Sequence, residues 1–129
     1  MTSKTLVELV VLAGETNEKN GYNGYAQALA DGYGIDYLAK KDLLEVSESV
    51  EGLDELRHGH GADEIYIKDG KLEGYLIEKF DAAIRNFGTT YEVIRAHGLD
   101  LEETIAYLEE KIAYNAQRAD TARSGVKAF

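Results

Sequence analysis

Apolar residues recur at helical spacing in four stretches of this chain. Over residues 5 to 17, Leu6, Leu9, Val10 and Ala13 share a face that Val7, Val11 and Leu12 widen, which predicts a first helix buried on much of its circumference. The segment 22 to 34 mixes Gly, Tyr and small residues and reads as a connector, with a short helix at Gln27-Ala28-Leu29-Ala30. From Asp36, a side chain suited to an N-cap, a second helix is predicted to residue 57, because Leu38, Leu43, Val46, Val50, Leu53 and Leu56 keep helical spacing until His58-Gly59-His60-Gly61 stops it. Residues 64 to 72 alternate briefly beside Asp69-Gly70, a short hairpin signal.

A third helix over residues 73 to 97 places Leu76, Phe80, Ala83, Ile84, Phe87, Tyr91 and Ile94 along one stripe, with Gly98 as its C′ residue. Asp100 with Glu103 has the form of a capping box and opens a fourth helix with Leu101, Ile105, Leu108 and Ile112 inward. Residues after Arg118 lose the periodicity. The expectation is an all-α fold of four to five helices in a single domain, residues 1 to 118, followed by a flexible tail over 119 to 129. The first two long helices carry apolar residues on more than one face with few residues to cover them, so homo-oligomerisation is expected to complete the core.

Composition narrows the partners. With no cysteine among 129 residues, disulfides and thiolate zinc sites are excluded. Fourteen Lys and Arg against twenty-four Asp and Glu, a formal net charge of −10, argue against tracking a nucleic-acid polymer, which requires cations for the phosphates. The apolar run from Leu6 to Ala13 is broken by Glu8 and is far shorter than the roughly 20 residues of a membrane span, and no cleavable leader pattern follows it. A cytoplasmic protein is expected.

Two pairs of acids lie on the polar sides of adjacent helices. Glu48 and Glu51 sit one turn apart and point away from Val46, Val50 and Leu53; Glu78 and Asp81 repeat the spacing on the third helix. If the two helices pack side by side, four carboxylates meet at one groove and repel unless a hard divalent cation such as Mg²⁺ or Mn²⁺ neutralises them. The same spacing also fits two solvated helix faces, and spacing alone does not choose. On the fourth helix Lys111, Asn115 and Arg118 share a face with Tyr114 beside it, which fits either a phosphate and base contact or cations complementing the helix dipole. His58 and His60, on a Gly-flanked helix end with no third ligand evident, are read as solvent-exposed.

Ser47-Glu48-Ser49-Val50-Glu51-Gly52-Leu53-Asp54-Glu55-Leu56-Arg57 resembles the "SExxEALEELR" motif of the MazG-like all-α nucleoside triphosphate pyrophosphohydrolases. Glu73-Gly74 followed by Glu78-Lys79-Phe80-Asp81-Ala82-Ala83-Ile84-Arg85 resembles that superfamily's "EG…ELADVVIR" motif. His97-Gly98-Leu99-Asp100-Leu101-Glu102-Glu103 and Lys111-Ile112-Ala113-Tyr114-Asn115-Ala116-Gln117-Arg118 resemble its "HGIDLEEAI…KMAYNxxR" segment, in the same order.

The resemblance implies a helical dimer or tetramer that cleaves a nucleoside or deoxynucleoside triphosphate to the monophosphate and pyrophosphate with Mg²⁺, or with Mn²⁺ in its place. It implies Glu48, Glu51, Glu78 and Asp81 as metal ligands; one carboxylate, Glu48 or Glu51, is expected also to serve water as base. Lys111, Tyr114, Asn115 and Arg118 would contact the substrate. Three departures stand out: Ser47 replaces the first of two adjacent acids, Phe80 replaces a small residue, and the tail lacks the usual Pro and His. They leave a second expectation, a nucleotide-binding or regulatory module of the same fold without turnover.

Overall fold

The structure is a computed structural model that describes the backbone of residues 3 to 123 and the side chains of residues 3 to 118. It is predominantly helical: α1 (Leu6–Lys19), α2 (Tyr25–Ala30), α3 (Gly34–Arg57), a hairpin of β1 (Tyr66–Lys68) and β2 (Lys71–Glu73), α4 (Tyr75–Ala96) and α5 (Leu101–Arg123). Helix α4 is the hub, packed against α1, α2, α3, α5 and the hairpin. No described helix is long and apolar enough to cross a membrane.

Local chemistry sets the helix ends. Thr5 and Glu8 form a reciprocal capping box at the start of α1, its two bonds being Glu8 N–H to Thr5 Oγ1 at 3.2 Å and Thr5 N–H to Glu8 Oε1 at 2.9 Å. Helix α3 begins at Gly34, so Asp36 is not the N-cap but sits in the first turn, where its charge still complements the helix dipole. At the α4 C-terminus Gly98 adopts φ 65° and Leu99 N–H reaches back to the Ile94 carbonyl, the expected left-handed stop. Asp100 Oδ1 then accepts the Glu103 N–H at 2.8 Å and caps α5. Helix α5 continues past Arg118 to Arg123, into the segment expected to be a tail; residues 124 to 129 of that segment lie outside the described residues.

The hairpin is real and short. Tyr66 pairs with Glu73 and Lys68 with Lys71, across an Asp69-Gly70 turn in which both residues have positive φ, the signature of a two-residue hairpin loop. Gly74 follows at φ 133°, a conformation that favours glycine, and a Cβ there would collide with the Glu64 carbonyl oxygen. This corner turns the chain from β2 directly into α4. It therefore fixes Glu73, on the strand, relative to Glu78, in the first turn of the helix.

The faces that pack are not those that the apolar pattern marks on α3. Its inner face reads Leu38, Lys41, Glu45, Glu48, Gly52 and Glu55, half-buried or buried, while Leu43 is 69% and Val46 57% exposed, with Val50 and Leu53 also outward. The helical spacing marks a face that wants cover, and no described residue of the chain provides it. On α4 the stripe divides similarly. Tyr91 and Ile94 are buried with Val10 and Tyr25 in the small core, whereas Phe80 and Ile84 are exposed and line, with Leu9, Leu12, Ala13 and Phe87, a groove of about 440 Å³ between α1 and α4. On α5, Leu101 and Ile105 are half-buried while Leu108 and Ile112 are exposed.

Candidate metal centre

Polar packing between α3 and α4 is what brings the acids together. Gly52 is buried on α3 against α4, where a Cβ would stand in ordinary van der Waals contact with Tyr75 Cδ2 at 3.4 Å and Glu78 Cβ at 3.5 Å. Glu48 from α3 and Glu78 and Asp81 from α4 then converge, each offering an oxygen within 4.8 Å of the others. Oxygens about 2.0–2.6 Å from one divalent cation lie up to 4–5 Å apart, so this span is that of a shared cation. Glu51 stands at the rim, within hydrogen-bonding reach of Glu48 and Glu78. The groove expected from the two i, i+3 pairs therefore exists.

Glu78 is the extreme member. It is only 6% exposed, and among the described residues its Oε2 is the one buried side-chain oxygen or nitrogen with no hydrogen-bond partner. Burial first, then the neighbouring Glu51, Asp81 and Glu48, push its carboxyl up to about 8. Asp81 is also raised, by burial and by Glu48, and Glu51 is raised by sharing a proton site with Glu48 and by burial. Glu48 goes the other way. Burial opposes its charge, but Arg85, whose Nε donates to Glu48 Oε1 at 2.7 Å, together with hydrogen bonds from its neighbours, holds it below the usual carboxylate range. An all-carboxylate donor set with one buried, unpartnered oxygen fits a hard divalent cation such as Mg²⁺ or Mn²⁺.

Two cavities flank the cluster. One, of about 460 Å³, is lined by Asn17, Tyr22, Lys41, Glu48, Asp81 and Arg85 among others, so cations and an amide face the same space as two of the acids. Its floor is made by Glu92, a buried carboxylate satisfied by Tyr25 N–H at 3.2 Å and by the Tyr37 hydroxyl at 2.9 and 3.0 Å from its two oxygens. Burial and the bond to Glu92 push Tyr37 up to about 12, which keeps it a donor and ties α2 and α3 to α4. The other cavity, of about 510 Å³, lies towards the hairpin and includes Glu51, Glu55, Glu73 and Glu78 in its wall.

The α5 residues are placed elsewhere. Lys111, Tyr114 and Asn115 are exposed, with Lys111 Nζ 5.0 Å and the Arg118 guanidinium 5.8 Å from the Tyr114 ring centroid. These three form one cation–aromatic group. Helix α5 packs on α1 and α4, and among the described residues Lys111, Tyr114 and Asn115 line neither cavity beside the α3 carboxylates. His58 is exposed as expected, but His60 is half-buried, stacked on Tyr66 at 4.6 Å and bonded to Glu64 Oε2 at 2.7 Å.

Reasoning from the sequence alone missed Lys41, Glu55, Glu73 and Arg85. Two of these had a signal: Glu55 is one heptad after Glu48, and Arg85 one turn after Asp81, each on the face already carrying acids. Glu73 had none, because its position depends on the hairpin corner.

Comparison of the chain with protein-family models, with curated proteins and with solved structures gives no match.

Proposed function

We propose that this protein is a MazG-like, Mg²⁺-dependent nucleoside triphosphate pyrophosphohydrolase. The observation that carries the reading is the meeting of Glu48, Glu78 and Asp81 beside a buried carboxylate oxygen of Glu78 that no described residue satisfies. The resemblance of the segments from Ser47 to Arg118 to the superfamily's motifs supplies the substrate class.

In this proposal Glu48, Glu51, Glu78 and Asp81 hold the metal. A bound Mg²⁺ or Mn²⁺ supplies charge neutralisation of the polyphosphate and an acidified water. The chain's own groups do the rest. Arg85 keeps Glu48 ionised and oriented, and Lys41 presents a cation to the substrate cavity beside it. Water attacks the α-phosphorus, a new O–P bond forms as the bridging α–β P–O bond breaks, and pyrophosphate departs. The proton goes to a carboxylate, Glu48 or Glu51.

A second copy of the chain is proposed to cover the outward Leu43, Val46, Val50 and Leu53 of α3 and to bring its own Lys111, Asn115 and Arg118 towards the groove. Exposed apolar residues at helical spacing over that length of helix support an interface. Light scattering should give a dimer or tetramer, and Val50→Glu should shift it to monomer; a monomeric wild-type protein would remove this part of the proposal.

The activity test is pyrophosphate release from a panel of canonical and modified nucleoside triphosphates with Mg²⁺ or Mn²⁺. Glu51→Gln and Asp81→Asn are each expected to lower turnover by roughly a hundredfold or more. Unchanged turnover in both would end the metal assignment. Thermal stabilisation by a triphosphate with no product formed would instead identify a binding module.

A further inference from the structure

We propose that the hairpin-side cavity is a second divalent-cation position, formed by Glu55, Glu73 and Glu78 and sharing Glu78 with the first. The inference rests on the reading of Glu48, Glu78 and Asp81 as a metal centre and extends it with residues outside that set.

The geometry repeats that of the first cluster. Glu55, Glu73 and Glu78 each offer an oxygen within 4.8 Å of the others, and they come from three elements: the last turns of α3, the end of β2 and the first turn of α4. Sequence proximity does not explain this convergence. It is produced by the Gly74 corner, where φ 133° and the lack of room for a Cβ against the Glu64 carbonyl bring strand end and helix start into a single arrangement.

The independent observation is Glu78 itself. It lines this cavity, is 6% exposed, and among the described residues its Oε2 has no hydrogen-bond partner. A carboxylate with two oxygens in the overlap of two oxygen clusters is suited to bridge two cations.

The surroundings favour a cation over any other occupant. Glu51, Asp54, Glu55, Glu73 and Glu78 face the space, against one lysine, Lys68, and the imidazoles of His58 and His60. The Tyr66 hydroxyl donates to Glu55 Oε2 at 2.7 Å, and His60, stacked on the Tyr66 ring, approaches the same oxygen at 3.9 Å. These contacts orient Glu55 as outer partners orient a ligating carboxylate.

The test is a titration of the metal-free full chain with Mn²⁺, following stoichiometry by calorimetry and the ions by electron paramagnetic resonance. Two Mn²⁺ per chain are expected, with a dipole-coupled signal once both positions fill. Glu73→Gln and, separately, Glu55→Gln should weaken one ion by more than about tenfold and abolish the coupled signal while the other ion still binds. Circular dichroism confirms that each variant is folded, and Glu73→Asp should recover part of the lost affinity. One Mn²⁺ per chain in the wild type, or two that neither variant affects, would overturn the second position and leave the first standing. No Mn²⁺ bound at all would overturn both.

Discussion

Replacing Glu78 with Gln is expected to make the metal-free protein more stable and to reduce pyrophosphate release by about a thousandfold. The two effects have one cause. Glu78 is buried between α3 and α4 with Glu48, Glu51 and Asp81 around it, and among the described residues no group donates to its Oε2. Gln keeps the shape, removes the charge and introduces an N–H₂ group among carboxylate acceptors. At pH 8 and above, where wild-type Glu78 is losing its proton, the substitution is expected to stabilise the metal-free protein by about 1–3 kcal/mol, a rise in Tm of roughly 3–10 °C. The same change removes the ligand common to both carboxylate clusters, so the stabilisation that Mg²⁺ gives the wild type should disappear. A thousandfold loss of turnover corresponds to about 4 kcal/mol of transition-state stabilisation, in the range found when a centre of electrostatic stabilisation is lost. Thermal melts with EDTA and with Mg²⁺, alongside the release assay, separate the effects. A variant that is destabilised, still responds to Mg²⁺ and still turns over would show that Glu78 is a packing residue.

Much of this site was legible because helical periodicity constrains faces without needing tertiary knowledge. The i, i+3 pairs Glu48/Glu51 and Glu78/Asp81 were bound to lie on polar faces, and one antiparallel packing of α3 on α4 was enough to join them. What the pattern could not give is which face a single chain buries. The apolar stripe through Leu43, Val46, Val50 and Leu53 is as periodic as a core face, yet α3 turns its Glu48/Gly52/Glu55 side towards α4. Gly52 lies buried on that side against Tyr75 and Glu78, and a single glycine inside a helical pattern is a weak signal. The hairpin was visible from Asp69-Gly70, but its consequence for Glu73 was not, because that depends on the corner at Gly74. Phe80 was expected to pack and is 55% exposed, in the groove between α1 and α4. Lys111, Asn115 and Arg118 were expected on one face of α5 with Tyr114 alongside, and Lys111 and Arg118 do flank the Tyr114 ring, but where that face stands relative to α3 depends on the α4–α5 connection, which helix periodicity does not specify.

Stability without metal is expected to fall as pH rises from 5 to 8, and saturating Mg²⁺ should remove most of that fall. In the unfolded chain Glu78 titrates near the ordinary 4.5, whereas in the fold burial and its anionic neighbours hold it up at about 8. Between these values the folded state keeps a proton that the unfolded state has released. The associated stability is fully present below about pH 4.5 and is lost as pH climbs through 8. Glu51 and Asp81, also raised, act in the same direction. Glu48, held low by Arg85 against the effect of burial, acts in the opposite direction: its contribution is lost only at the acid end, as pH falls through its folded value. The net change across the window is on the order of a few kcal/mol, which for a chain of this length lowers Tm by roughly 10 °C. A cation that binds the deprotonated cluster takes the place of the proton, and at a thousand times its Kd it returns about 4 kcal/mol. Mg²⁺ should therefore stabilise little at pH 5 and strongly at pH 8, and in Glu78→Gln both the fall without metal and the recovery with it should shrink together. A metal-free Tm that stays level or rises over this interval, or a Mg²⁺ effect that is equal at both ends, would separate the buried carboxylate from metal binding. The four acids would then be no more than neighbours on two packed helices.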